Sequence, residues 1–172
     1  MTGVRVFFIV AAVLLISDVA PEHSVASFDG FLQQANGKNS EAMRVLKRTP
    51  QAGPIKKLLR KANKLLRKVE GTNGPELWIP FLSGALDKNL EALDLAKTPC
   101  SQQKENDCIT ARGDIVESTL NIVQAIETIC GSEETKMQID RILTENIHPS
   151  TSSLESDVLK IGSELAKLSR QC

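Results

Sequence analysis

Residues 54–70 read PIKKLLRKANKLLRKVE, and this stretch decides the fold class. Its apolar side chains recur at steps of three and four residues, which is the period of an α-helix with one buried face. At roughly 100° per residue they fill an arc of about 120°, and the basic side chains fill the opposite arc. Pro54 suits the first position of a helix, and Gly71 suits its end. The stretch therefore predicts an amphipathic helix whose apolar stripe packs onto other helices.

The same periodicity predicts helices along most of the chain. Proline and glycine positions mark the breaks between them. From Leu154 to Cys172 the apolar residues recur at alternating steps of four and three, as in the seam of a helical bundle. The fold class predicted is all-α, a multi-helix up-and-down bundle. Besides the helix at 54–70, we expect two short helices over 28–35 and 40–48, and longer ones over about 80–97, 103–130, 132–147 and 152–172.

The N-terminus has the layout of a secretory signal peptide. Arg5 supplies a positive charge, residues 6–16 are an unbroken apolar run, and Ser24 and Ala26 are small residues before a cleavage point. The run is too short for a membrane span, which needs about 20 apolar residues. Cleavage after Ala20 is the alternative. The predicted organisation is a signal peptide over 1–26 and a single helical-bundle domain over 27–172, secreted to the extracellular space.

The chain has four cysteines, all in its second half: Cys100, Cys108, Cys130 and Cys172. An even number in a secreted chain indicates two disulfides, and spacing alone allows three pairings. If the last three helices run up, down and up, the first two cysteines lie at one end of the bundle and the last two at the other. Because a disulfide requires Cα atoms within about 7 Å, this predicts Cys100–Cys108 and Cys130–Cys172. No C-x-x-C spacing is present, so no metal site is expected.

The basic side of the predicted helix at 54–70 is the strongest candidate for a binding site. The segment 41–70 carries a net charge of +8, whereas the rest of the chain after residue 26 carries −7. Such a face attracts a sulfated glycan, an anionic phospholipid surface or an acidic protein patch, although a solvated outer face is the alternative. No aromatic residues are interleaved for base stacking, so no nucleic acid partner is expected. The candidate residues are Lys56, Lys57, Arg60, Lys61, Lys64, Arg67 and Lys68.

Arg112, Gly113 and Asp114 spell the integrin-binding tripeptide. Integrin ligands present it on an exposed loop, whereas here it falls inside a predicted helix. Asp114 followed by Glu117 could instead begin that helix, which would leave the tripeptide in a loop. Short motifs of this kind also occur by chance, so integrin binding is a minor hypothesis.

No catalytic motif is present, and the chain is predicted not to be an enzyme and to need no cofactor. The sequence contains no nucleophile elbow, zinc-protease motif, phosphate loop or dinucleotide fingerprint. Its histidines are His23, which leaves with the signal peptide, and His148, which has no metal-spaced neighbour. With the cysteines paired, no thiol nucleophile remains.

An apolar cluster, Trp78-Ile-Pro-Phe-Leu82, lies beside a Gly-Pro loop. Large apolar residues are normally buried, so we interpret it as part of the core where a helix begins. The alternative functional interpretation is that the cluster anchors the protein to a partner or a membrane. A third possibility is that the bundle encloses a small hydrophobic ligand, as helical carriers do.

The chain as a whole resembles the small, all-helical, disulfide-bonded secreted proteins of blood-feeding insect saliva. The resemblance depends on the apolar leader at 6–16, a mature chain of 146 residues, the basic run at 56–68, and cysteines confined to the second half with one at the C-terminus. Proteins similar to mosquito neutrophil-stimulating factor or to the anophensin-like inhibitors fit best. The resemblance implies binding to host immune or haemostatic components without catalysis, and it transfers no functional residue.

We therefore predict a secreted, non-enzymatic binding protein, a salivary effector that modulates host responses. Its expected partner is a host protein, a receptor or a sulfated glycan on cells or in plasma, without a membrane span. A helical carrier of a small hydrophobic ligand is the alternative. Charge reversal at Lys57, Lys64 and Lys68 should reduce partner binding and leave folding intact.

Overall fold

The structure is a computed structural model that describes residues 21–97, 105–147 and 153–172. In these ranges the regular elements are helices, and no strand is present, which confirms the all-α class. Two short 3-10 turns, Leu46–Arg48 and Pro50–Ala52, connect the first helix to the second. The helices are α1 (Pro21–Val45), α2 (Gly53–Glu70), α3 (Pro75–Ala96), α4 (Glu105–Ile129), α5 (Glu133–Asn146) and α6 (Leu154–Ser169).

The core consists of two apolar clusters at opposite ends of the bundle. The first joins the start of α1, the end of α2, the start of α3 and the end of α4 (Phe28, Val69, Leu82 and Ile126). The second joins the opposite ends of the same four helices (Ala42, Ile55, Ala96 and Cys108). Consecutive helices from α1 to α4 therefore run in opposite directions.

The last helix, α6, runs in the same direction as α4, since its start joins the second cluster and its end joins the first. Cys130, just after α4, and Cys172, just after α6, consequently lie at the same end of the bundle. They form a disulfide with a Cα–Cα distance of 4.6 Å, which confirms this predicted pairing. Cys108 is also disulfide-bonded. Because Cys100 lies outside the described residues, the Cys100–Cys108 pairing stays a prediction.

Helix α1 corrects the sequence interpretation, because one continuous helix replaces the two short ones expected over 28–35 and 40–48. Asn36 and Gly37 do not break it, since Ala35 and Asn39 on either side are completely buried and their packing outweighs weak local propensity. Ser40 was expected to cap the second short helix. Its hydroxyl instead donates to the carbonyl of Asn36 at 2.8 Å, within the helix.

Helix α3 begins earlier than predicted, at Pro75 rather than near Pro80. Pro80 lies in the second turn of the helix, where the missing N–H removes a single backbone hydrogen bond. The start of α3 is held by Trp78, whose ring stacks on Phe28 at 4.9 Å and whose Nε1 donates to the Thr72 carbonyl at 2.6 Å. The interpretation of this apolar cluster as part of the core is thus confirmed.

The predicted helix cap at Ser132 is confirmed. Ser132 caps α5, and its hydroxyl oxygen accepts from the Thr135 N–H at 3.2 Å. Helix α1 extends across the expected cleavage point after Ala26, and the buried core residue Phe28 follows that point. Cleavage itself stays a prediction. Within the described ranges, no helix combines the length and apolarity that a membrane span requires.

Candidate binding site: the basic face of helix α2

The apolar stripe of α2 packs into the core of the bundle and is partly exposed along one edge, at Leu58 and Leu65. Leu59, Leu66 and Val69 are at most 1 % exposed, and Ile55 is 6 % exposed. Along one edge of the stripe Leu65 approaches α3 so closely that a Cβ at Gly84 would lie 3.2 Å from its Cδ1 atom. The stripe is therefore committed to packing, and only the opposite side of α2 is free to meet a partner.

A buried polar layer separates the two apolar clusters and contains one residue of α2. Asn63 is 5 % exposed, and its Nδ2 donates to the Asn36 carbonyl and to the Ser40 hydroxyl, both at 3.2 Å. Its Oδ1 accepts from Asn39 Nδ2 at 2.9 Å. Asn63 thus joins α2 to α1 through three hydrogen bonds.

The same layer continues into α3 and α4. Asn39 Nδ2 also donates to Asn89 Oδ1 at 3.1 Å, and Asn89 Nδ2 donates to the Ser118 hydroxyl at 2.8 Å. Ser118 in turn donates to the Ala35 carbonyl at 3.0 Å. Each of the first four helices therefore contributes to one hydrogen-bonded layer, and this layer fixes the rotation of α2 about its axis because Asn63 can reach its partners in one orientation only.

Sequence reasoning missed this layer, although a signal was present. Asn63 lies at the edge of the apolar stripe, four residues after Leu59, and Asn89 interrupts the apolar stripe of α3 between Leu86 and Leu93. A polar residue at a core position of a bundle often specifies register. Two asparagines at core positions of neighbouring helices could have been predicted to meet.

We call the basic side of α2 the basic arc. At roughly 100° per residue its cations lie within about 140° of the helix circumference, centred away from the buried stripe. All are exposed except Lys56, which is partly exposed. The arc consists of Lys56, Lys57, Arg60, Lys61, Lys64, Arg67 and Lys68.

The basic arc has no counter-charges within the described part of the chain. None of its cations forms an ion pair or a side-chain hydrogen bond there. Elsewhere the cations are mostly paired, including Lys38 with Glu117 at 2.9 Å and Arg170 with Asp87 at 2.6 Å. Sequence reasoning left open whether the acidic remainder of the bundle neutralises this face. Among the described residues, no carboxylate lies within ion-pair distance of it.

Like charges crowd along the arc, which costs stability. Cations three or four residues apart on a helix face repel one another by about 0.2–0.5 kcal/mol per pair. The compensating contact in the described structure involves Lys68, whose Nζ lies 5.2 Å from the centre of the Phe81 ring on α3. Lys68 and Arg67 also lie in the last turn of α2, where the helix dipole favours cations, whereas the other cations of the arc have no such contact in the described structure.

The integrin-type tripeptide lies in the middle of α4 rather than in a loop, so the alternative that Asp114 begins the helix is wrong. Asp114 is only 8 % exposed, and its carboxylate pairs with Lys38 at 3.3 Å. The Nε of Arg112 lies 3.1 Å from the Glu155 carboxylate on α6. The two charged groups that a receptor would read are both engaged in contacts between helices.

Lys38 holds two carboxylates of α4, those of Asp114 and Glu117. Partial burial on its own lowers the pKa of Lys38, but the hydrogen bonds and charges of Glu117 and Asp114 outweigh it and raise that pKa overall. Burial raises the pKa of Asp114, and the Lys38 charge partly opposes this. The cluster ties α1 to α4 and offers no free group for chemistry.

Two cavities lined by described residues do not have the size and lining that a hydrophobic-ligand carrier needs. A cavity of about 10 Å³ lies among Leu46, Ile55, Ala96 and neighbouring side chains, which is room for about one water. A larger depression of about 440 Å³ is open to solvent and lined largely by charged and polar side chains, including Lys97 and Glu155. Ligand-binding sites for drug-sized molecules are enclosed, mostly apolar and about 300–1,000 Å³.

Histidine, cysteine and carboxylate side chains are the candidates for metal binding or catalysis. Among the described residues, no group of three or more His, Cys, Asp or Glu side chains is arranged to hold a metal ion. His148 and Cys100 lie outside the described residues. The histidine and cysteine interpretations at these positions therefore stay predictions.

Comparisons with known proteins leave the chain without an assigned family. No family model matches it, and neither the curated proteins nor the solved structures include a significant match. The resemblance to salivary proteins therefore depends on its sequence features alone.

Proposed function

We propose that this chain is a secreted, non-enzymatic binding protein that engages a polyanionic partner through the basic arc of α2. The observation that carries the proposal is the set of seven cations on one helix face with no carboxylate paired to them in the described structure. An unneutralised single-sign face produces a long-range potential that attracts and orients a partner of opposite charge.

The energetic cost of the arc supports a binding role over simple solvation. A solubilising helix face normally intersperses both signs of charge, which gains from pairs three and four residues apart. The sequence between Lys56 and Lys68 contains no acidic residue. Proteins depart from such local rules mainly at functional sites, where the charge serves a partner rather than the fold.

Secretion and the second disulfide belong to the same proposal. The apolar leader at 6–16, the Cys130–Cys172 disulfide and the proposed Cys100–Cys108 disulfide are typical of an extracellular protein. The resemblance to salivary proteins of blood-feeding insects adds the proposal that the partner belongs to a vertebrate host and that the chain modulates its immune or haemostatic responses.

The function is tested by retention on a panel of polyanions: immobilised heparin, anionic phospholipid vesicles and single-stranded DNA. We expect the secreted protein to be retained on at least one of them above about 0.2 M salt, because several cations bind at once. The variant Lys57→Glu, Lys64→Glu, Lys68→Glu should elute at much lower salt.

The matched control is Arg141→Glu, Lys160→Glu, Lys167→Glu, which changes the net charge equally at exposed positions on α5 and α6. It should elute close to the unmodified protein. Elution of all three proteins below about 0.2 M salt, or equal losses in both variants, would contradict binding through the basic arc.

A further inference from the structure

Building on the proposed polyanion-binding function, we propose that the ligand of the basic arc is a linear sulfated polysaccharide of the heparan class, lying along the axis of α2. The choice among polyanions follows from the shape of the arc, from the side chains that it lacks, and from the way in which the core holds it.

The arc has the shape of a straight strip. From Lys56 to Lys68 it extends about 18 Å along the helix axis, and each turn contributes at least one cation. Arg60 and Arg67 lie in one row about 10 Å apart along the axis. Each guanidinium group can donate two hydrogen bonds to a pair of anionic oxygens, and the lysines beside them supply further point charges. A linear chain with repeating anions matches this strip better than a compact anionic patch.

A membrane surface fits the arc poorly. Basic amphipathic helices bind anionic bilayers by burying their apolar face at the headgroup boundary. In α2 that face is occupied, since Leu59 and Leu66 are at most 1 % exposed beneath α3 and the rest of the bundle. The arc can touch a bilayer only with its charges, which leaves out the apolar part of the binding energy.

The arc also lacks the apolar and aromatic side chains that a protein partner or a nucleic acid would contact. Protein interfaces depend on a few buried aromatic or apolar anchors. The large apolar side chains exposed in the described structure are Leu77, Leu95, Ile109 and Met137, and none of them belongs to α2. Bases stack on aromatic rings, and among the described residues the ring that contacts the arc, Phe81, is partly buried beneath Lys68. Charge recognition without apolar contact is what a sulfated glycan requires.

The polar layer gives the arc its rigidity. Asn63 lies at the margin between the basic arc and the buried stripe and is hydrogen-bonded to α1 in three places. Rotation of α2 is thereby prevented, and the backbone positions of the cations are fixed before the ligand arrives. Preorganisation of this kind reduces the entropy lost on binding.

The test measures binding of the secreted protein to heparin oligosaccharides of graded length, with fully desulfated heparin and phosphatidylserine vesicles as comparison probes. We expect affinity to increase with length until the oligosaccharide covers about 18 Å, and to be lost on desulfation. Vesicle binding at about 0.15 M salt should be at least tenfold weaker than heparin binding.

The test variant is Lys57→Gln, Lys61→Gln, Lys64→Gln, which keeps the Lys68–Phe81 contact, and its matched control is Arg141→Gln, Lys160→Gln, Lys167→Gln. We expect the arc variant to bind heparin at least tenfold more weakly and to lower the slope of log affinity against log salt by about three. The control variant should keep the heparin affinity and the salt dependence of the unmodified protein. Circular dichroism of each variant confirms that it is folded.

The outcomes separate this inference from the proposed function. If vesicles or single-stranded DNA bind more tightly than heparin and the arc variant loses that binding, the glycan assignment is wrong and polyanion binding stands. Equal binding of desulfated heparin also overturns the glycan assignment. If the arc variant binds every probe as well as the unmodified protein does, both proposals are wrong.

Discussion

At the scale of single residues, the most consequential side chain of α2 is the uncharged Asn63. It is a buried polar residue at the edge of an apolar stripe, and burial without partners would cost about 1–3 kcal/mol. The cost is offset because its amide makes three hydrogen bonds to α1. One residue thereby couples the binding face to the interior of the bundle.

We expect Asn63→Ala to lower the free energy of unfolding by about 1–3 kcal/mol, since it removes hydrogen bonds and leaves the Asn36 carbonyl without this donor. Urea unfolding followed by circular dichroism measures the change. Gln34→Ala is the control, because Gln34 is exposed on α1 outside the layer and its loss should cost about 0.5 kcal/mol or less. An Asn63→Ala protein as stable as the unmodified one would show that the layer does not hold α2.

Glu127, near the end of α4, makes stability depend on pH. Burial and, to a lesser extent, the charge of Asp140 raise the pKa of Glu127 from 4.5 to about 7, although Lys136 partly opposes them. The folded chain therefore binds more protons than the unfolded chain between these values, so the free energy of unfolding falls as pH rises through this window. The shift sets an upper limit of about 3 kcal/mol, and partial exposure reduces our expectation to about 1–2 kcal/mol.

The expected result is that Glu127→Gln removes this dependence. Urea unfolding at about pH 5 and about pH 8 should show little difference between the proteins at the lower pH and a more stable variant at the higher pH. Asp140→Asn should produce a smaller effect of the same sign. The interpretation fails if the variant is less stable than the unmodified protein at both pH values.

At the scale of elements, α2 illustrates a conflict between local and functional demands. Its apolar stripe and Pro54 in its first turn favour the helix, whereas repulsion along the basic arc opposes it. The stripe is the larger effect, because several fully buried leucine and valine side chains each contribute about 1.5–3 kcal/mol. The helix can therefore carry the arc without unfolding.

It follows that Lys57→Gln, Lys61→Gln, Lys64→Gln should stabilise the protein while weakening partner binding. Removal of several like-charge pairs should add about 0.5–1.5 kcal/mol at low ionic strength, and the gain should shrink in about 1 M salt because exposed charges are screened. Thermal unfolding at both salt concentrations measures it. A loss of more than about 1 kcal/mol would identify the basic arc as a structural element and would contradict its proposed binding role.

At the scale of the whole molecule, the Cys130–Cys172 disulfide closes the bundle across α4 and α6. It links residues 42 positions apart, so in the chain-entropy account it restricts the unfolded state strongly. Charge is also unevenly distributed over the whole molecule: residues 41–70 carry a net charge of +8, and the rest of the chain after residue 26 carries −7.

Replacement of both cysteines by serine, Cys130→Ser with Cys172→Ser, should lower the free energy of unfolding by about 2–4 kcal/mol without changing the fold. Urea unfolding measures the loss, and far-ultraviolet circular dichroism checks helix content.

Peptide mapping of the unmodified protein should recover Cys100 linked to Cys108. Recovery of Cys100 linked to either of the other cysteines would contradict the proposed second disulfide.

Much of the fold could be predicted from spacing along the chain. Apolar residues that recur every three or four positions predict α2, α4, α5 and α6. The cap at Ser132 was also predicted, because capping depends on local geometry. The start of α3 and the continuity of α1 were not predicted. Proline and glycine are weak helix-breaking signals when the residues on both sides of them are well packed.

The sequence by itself determined which residues share a helix face, since a fixed angle per residue converts spacing into position. It therefore predicted the basic arc, the apolar stripe behind it, and the cysteines that could meet at one end of the bundle. Only the tertiary structure decided what each face meets: that Asn63 joins a polar layer, that Asp114 is held by Lys38, and that the cations of the arc have no described carboxylate beside them. These contacts join residues far apart in the chain, so they depend on how helices pack rather than on any local pattern.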